Sequence, residues 1–243
     1  MKRSLNLLAL LGIALGAQAC AAGNLADLAI YDRTEGKRLP VYWHGGRAYV
    51  AGKPGNEYQV KVRNRAGEDL LAVVSVDGVN AITGQTADAS QSGYVLSPGS
   101  AVDVQGWRKS LSQTAAFYFT SLPDSYAART GRPDNVGVIG VALFRRKPEP
   151  LAQIAPVENG KGAANRDAAA APRAEAQIGT GHGRLETAYA RYVSFERASA
   201  TPAEIVTVYY DSRANLVARG IIRDAGPLAP LPRPFPGFAP DPA

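Results

Sequence analysis

The chain has 243 residues, with 27 basic and 21 acidic side chains, a formal net charge of +6, 46% hydrophobic residues and one cysteine. A single cysteine excludes an intramolecular disulfide framework, so a compact fold must rest on its apolar core. The positive excess never gathers into a basic run, which argues against a nucleic-acid partner, for which a clustered basic face is expected.

At the N-terminus, Met1-Lys2-Arg3 leads into an apolar run that starts at Leu5, is broken only by Asn6, and closes on Ala17-Gln18-Ala19. A cationic start, a short apolar stretch and an A-x-A site predict a secretory signal peptide over 1–19. The run is too short for a spanning helix, which needs about 20 apolar residues, so the mature chain is predicted to have no transmembrane span. This places it outside the cytoplasm, in the periplasm or the cell envelope. Cys20 directly follows the cleavage site, the position of the lipidated residue in bacterial lipoproteins, although Ala17 and Gln18 depart from the residues usual before it. Cys20 is therefore a lipidation candidate beside ordinary cleavage nearby. Without the leader, 25 basic residues face 21 acidic ones, a mild +4.

From Asp27 to Arg146, short segments rich in β-branched and aromatic residues alternate with turn residues: DLAIYDR, RLPVYWH, RAYVAG, EYQVKVRN, LLAVVSV, VNAITG, GYVLS, AVDVQGW, TAAFYFT and NVGVIGVALFR. This spacing predicts an all-β fold, an antiparallel β-sandwich of immunoglobulin-like or jelly-roll-like type, with its main body at 27–146. In EYQVKVR, Tyr58, Val60 and Val62 alternate with Gln59, Lys61 and Arg63, as in a half-buried strand. LLAVVSV and VGVIGVALF are nearly continuous and read as central strands. Between AVVSV and VNAITG, Asp77-Gly78 predicts a two-residue hairpin turn, because both residues tolerate positive φ. A calcium loop would need more oxygen ligands than Asp77 and Asn80 offer.

Residues 147–178 are rich in alanine, proline, glycine and charge, the composition of a flexible linker. After it, 179–224 reads as strands that complete the same domain, since ARYVSFERAS alternates and EIVTVYYDSRANLVARGIIR looks like two strands joined around Asp211 to Asn215. The stretch 225–243 is a proline-rich, extended tail. The strings SVDGVN, GYVL, GWRKS, YAARTGRP and VGVIGVA, with GTGHGRLE and YYDSRANLVARGII, resemble a group of exported bacterial β-rich proteins without an established activity. The resemblance covers about Asn56 to Arg146 and Gly179 to Arg223. It implies one architecture kept on both sides of the linker, and it transfers no catalytic residue.

Two histidines, His44 and His182, are too few for a histidine-rich metal site, and no cysteine pair or H-x-x-x-H is present, so neither a metal nor a cofactor is predicted. GTGHG lacks the lysine of a phosphate-binding loop and runs into strand-like sequence. Trp107 and Arg108 in QGWRKS offer a ring face and a guanidinium fork, the pair that stacks on a sugar or clamps an anion. Arg129, Arg132 and Asn135 lie in a predicted loop at the end of the sandwich, where binding on rigid β scaffolds usually resides. The same five residues also suit a core tryptophan, solvated cations and ordinary turns. The sequence thus predicts a non-enzymatic envelope module that binds a polysaccharide or protein partner or serves a structural role. One alternative is a hydrolase using His182 and Glu186; another is a lipid-anchored scaffold.

Overall fold

The computed structural model describes residues 21–148 and 177–223. The predicted leader, most of the predicted linker and the proline-rich C-terminal stretch lie outside the described residues, as does Cys20. The first half contributes β1 (Ala21–Ala22), β2 (Ala26–Asp32), β3 (Lys37–Arg38), β4 (Val41–His44), β5 (Arg47–Gly52), β6 (Glu57–Asn64), β7 (Leu70–Val76), β8 (Val79–Asn80) and β9 (Tyr94–Leu96). Then follow β10 (Ala101–Val104), β11 (Gly106–Arg108), β12 (Gln113–Ser121), helix α1 (Tyr126–Arg129), β13 (Val138–Arg145), β14 (Ile178–Thr187), β15 (Glu204–Ser212) and helix α2 (Arg213–Ala218).

These strands form two packed sheets, the predicted sandwich. One runs β1-β2-β6-β12-β11, with β3 on β2, β10 on β6 and β14 on β12. The other runs β4-β5-β15-β13-β7-β8, with β9 on β7. Tyr58, Val60 and Val62 all point into the space between the sheets, as the alternation of EYQVKVR requires. β7 and β13 occupy the interior of their sheet, and β7 is buried on both faces apart from Ser75. One pairing departs from the antiparallel rule: β15 lies parallel to β5, from Val208 beside Ala48 to Ser212 beside Gly52. The sheet is therefore mixed. The two strands that follow 176 join both sheets, β14 extending β12 and β15 filling the place between β5 and β13.

Two expected strands are absent. The stretch 188–196 forms no ladder; it crosses from the edge of one sheet to the outer face of the other. There Phe195 packs against the cluster of Leu71, Val73 and Phe144, under the Arg146 guanidinium at 4.7 Å. The second half of EIVTVYYDSRANLVARGIIR is helix α2, capped by Ser212, whose side chain accepts from the Asn215 N–H. Its Leu216, with Ile221 and Ile222, covers Tyr49 on the outer face of β5. A serine cap and Gly220 at φ +68° were the helix signals in that stretch. The loop carrying Arg129 also contains one helical turn, α1. Among the described residues no helix is long and apolar enough to cross a membrane.

Candidate functional site

The predicted turn at Asp77-Gly78 is present, with φ of 52° and 71° between Val76 and Val79. Its aspartate does more than turn the chain. The carboxylate is 1% exposed and accepts from Tyr210 Oη at 2.6 Å, the Thr180 N–H at 2.7 Å and the Gly137 N–H at 2.9 Å. Thr180 Oγ1 in turn bonds Tyr210 Oη at 2.7 Å and Tyr58 Oη at 2.5 Å. One buried polar chain thus links the turn after β7 with β14, β15 and β6, and so both sheets and both halves of the sequence. Burial raises the Asp77 pKa against the lowering effect of these donors, and it pushes both tyrosines well above their usual value. Asn80 is consumed similarly, its Oδ1 accepting the Ile82 and Thr83 N–H groups at 2.7 and 3.0 Å. Both potential calcium ligands therefore serve protein donors, and among the described residues no three His, Cys, Asp or Glu side chains group as a metal site.

The five predicted ligand residues gather at one end of the sandwich, but four of them brace it. Trp107 is 2% exposed, its ring 4.7 Å from Phe117, 4.7 Å from Tyr126 and 6.2 Å from His182. Such burial leaves no free face for a sugar, and this corrects the expectation for Trp107. Arg108 donates to the carbonyls of Ala188 at 2.8 Å and Ser110 at 3.1 Å, fastening the crossing segment. Arg132 donates to the Gly84 carbonyl at 3.2 Å and lies over the Tyr126 ring at 5.8 Å. The Asn135 side chain crowds the hairpin, because a Cβ at Gly78 would approach its Cβ to 2.8 Å. Arg129 and Asn135 are both exposed, and Arg129 makes no side-chain hydrogen bond or ion pair among the described residues. With Lys109 it adds to the partial burial that lowers the His182 pKa.

His182 and Glu186 lie on the same strand but on opposite faces. His182 pairs with Phe117, whose ring is in the core, whereas Glu186 pairs with Thr114 on the other face of β12. There the Arg33 guanidinium holds Glu186 through two bonds of 2.8 and 2.7 Å, and Arg184 stands 3.3 Å away while also gripping Glu57. The structure does not bring the acid–base pair of the hydrolase reading together.

A site that the sequence reading passed over lies at the opposite edge. The β4–β5 hairpin turns at Gly45 and Gly46, both with positive φ, and leaves Trp43 50% exposed. Trp43, Gly46 and Arg47 wall a groove of about 310 Å³ beside the start of β15. Ala21 and Gly23 form its floor; a Cβ at Gly23 would approach the Glu204 and Val206 side chains to 2.7–2.8 Å, so a larger residue there would have to displace them. Glu204 is already occupied, accepting the Asn24 and Leu25 N–H groups at 2.6 and 2.7 Å. Arg47 lies over the Tyr209 ring at 5.5 Å with no carboxylate partner among the described residues. Ile205, at 62% exposure, completes the rim. The only sequence signal was a tryptophan ending a strand at a Gly-Gly turn, and it carries no information about the strand it faces. Comparison with protein-family models, curated proteins and solved structures found no match, so the reading of this site rests on its geometry.

Proposed function

We propose that the protein is an exported, non-enzymatic binding module of the bacterial cell envelope and that the groove at Trp43 is its ligand face. The half-exposed Trp43 beside Arg47, which has no carboxylate partner among the described residues, carries this reading, because a large ring left in water at a concave rim supplies contact area with little ordering cost. The signal-peptide pattern at 1–19 supports export. The separation of His182 from Glu186 favours binding over hydrolysis. The test is co-sedimentation of the mature chain, residues 21–243, with purified envelope fragments across a salt series. Saturable retention that Trp43→Ser removes, while Arg129→Ala leaves it intact, is the expected result. Retention indifferent to Trp43 and abolished by salt would reduce the interaction to the mild net charge.

A further inference from the structure

The groove is also a gap in a sheet. β13 flanks β15 from Glu204 to Tyr209, but β5 begins to pair only at Val208. Upstream of that point nothing among the described strands pairs with β15 on the β5 side. The ladder fixes which main-chain groups are left over. Tyr210 donates its N–H to the Gly137 carbonyl, so β15 residues in phase with it, Val208, Val206 and Glu204, direct their N–H and C=O groups at β13. Ile205 and Thr207 are out of phase and turn theirs the other way. Beyond the reach of β5, the N–H and C=O of Ile205 and the N–H of Thr207 open into the groove. Open edges of this kind are normally shielded by charge, bulges or covering loops. Here the space beside the edge is hollow, floored by Ala21 and Gly23 and walled by Trp43.

From this open edge we infer that the groove accepts a short extended segment of a partner protein, added as a strand beside Glu204–Thr207, with a carboxylate of that segment directed to Arg47. The proposal rests on the binding reading above and names its ligand class. Main-chain bonds to Ile205 and Thr207 supply the register, alternate side chains of the guest lie on Trp43 or face solvent, and Arg47, without a carboxylate partner among the described residues, selects an acidic residue. A guest rich in proline is excluded, because each proline removes a donor from the ladder.

The probe is an unstructured peptide in which valine and threonine alternate around one glutamate, titrated into the isotope-labelled mature chain and followed by amide NMR shifts. The expected result is saturable shifts at Ile205, Thr207 and Gly46, lost when alternate peptide nitrogens are methylated. Arg47→Glu, at an exposed position, weakens this peptide at least tenfold and restores binding to its lysine counterpart, with the melting temperature unchanged. Equal binding of the methylated peptide, or shifts confined to other surfaces, overturns the proposal. A concentration-dependent dimer abolished by Ile205→Lys would assign the gap to a second copy and overturn it as well. Envelope retention that needs Trp43, combined with no response to the peptide, would keep the binding module and remove the peptide ligand; loss of retention would remove the module itself.

Discussion

The surroundings of Trp107 and Trp43 differ in a way that their local sequences do not show. Trp107, next to Arg108 and Lys109, has the composition of a ligand site, yet its ring is enclosed by Phe117, Tyr126 and His182 and its neighbour Arg108 is spent on backbone carbonyls. Trp43 sits in an unremarkable hairpin, yet half its surface is free, because the strand it would lean on, β15, starts four residues before its first pairing with β5. What separates a bracing tryptophan from an available one is where neighbouring strands stop. At the Trp107 end, β11, β12, β14 and α1 converge; at the Trp43 edge, β15 outruns its partner.

The sharpest test of this contrast is stability. Trp107→Ala removes a fully packed ring and is expected to cost about 3–5 kcal/mol in denaturant unfolding, whereas Trp43→Ala should stay within about 1 kcal/mol of the native chain. Equal losses would erase the distinction. Asp77 comes next, because it ties the Trp107 end to both halves of the chain. Asp77→Asn keeps the positive φ but turns an N–H₂ donor toward the donors now bonding the carboxylate, at an expected cost of about 1–3 kcal/mol at neutral pH. Its pH dependence has a definite sign. The folded pKa of Asp77 is raised above the ordinary 3.8, so between those values the native state holds the extra proton. The stability of the native chain relative to the Asp77→Asn variant should therefore fall as pH rises through that window and stay level above it, which parallel urea titrations would show.

Smaller effects concern the surface of the braced end. Arg108→Ala should loosen the crossing segment near Ala188 and raise proteolytic cleavage between 188 and 194, with a change of about 1 kcal/mol or less in global stability. His182 should titrate below its ordinary 6.5, and Lys109→Gln or Arg129→Gln should move it upward in a proton NMR titration. A downward or absent shift would show that neither cation faces the imidazole.

Where information was local, the sequence was sufficient. The alternation in EYQVKVR placed Tyr58, Val60 and Val62 in the core, the Asp77-Gly78 turn formed with the expected φ values, and LLAVVSV became an interior strand. Where the outcome depended on distant chain, the sequence was silent. Nothing near Asp77 reveals that its carboxylate meets Gly137, Thr180 and Tyr210, and this partnership gives the turn its buried role. The alternation around Tyr192 and Phe195 was real, but tertiary packing of Phe195 on Phe144 and Leu71 won over strand formation. The helix after Ser212 was legible through its cap and Gly220, and the apolar pattern of YYDSRANLVARGII masked it. The site followed the same rule: Trp107 had a suggestive neighbourhood, and the open edge at Ile205 could be seen only once β5 and β15 were in register.

The central claim, that β15 carries an unfilled edge, is tested most directly by residue-resolved amide hydrogen exchange on residues 21–243 alone. The account predicts fast exchange at Ile205 and Thr207 beside slow exchange at Val206 and Val208, whose N–H groups bond β13. Comparable protection at all four amides would mean that the edge is already paired, and the groove would then be a closed surface with no place for a guest strand.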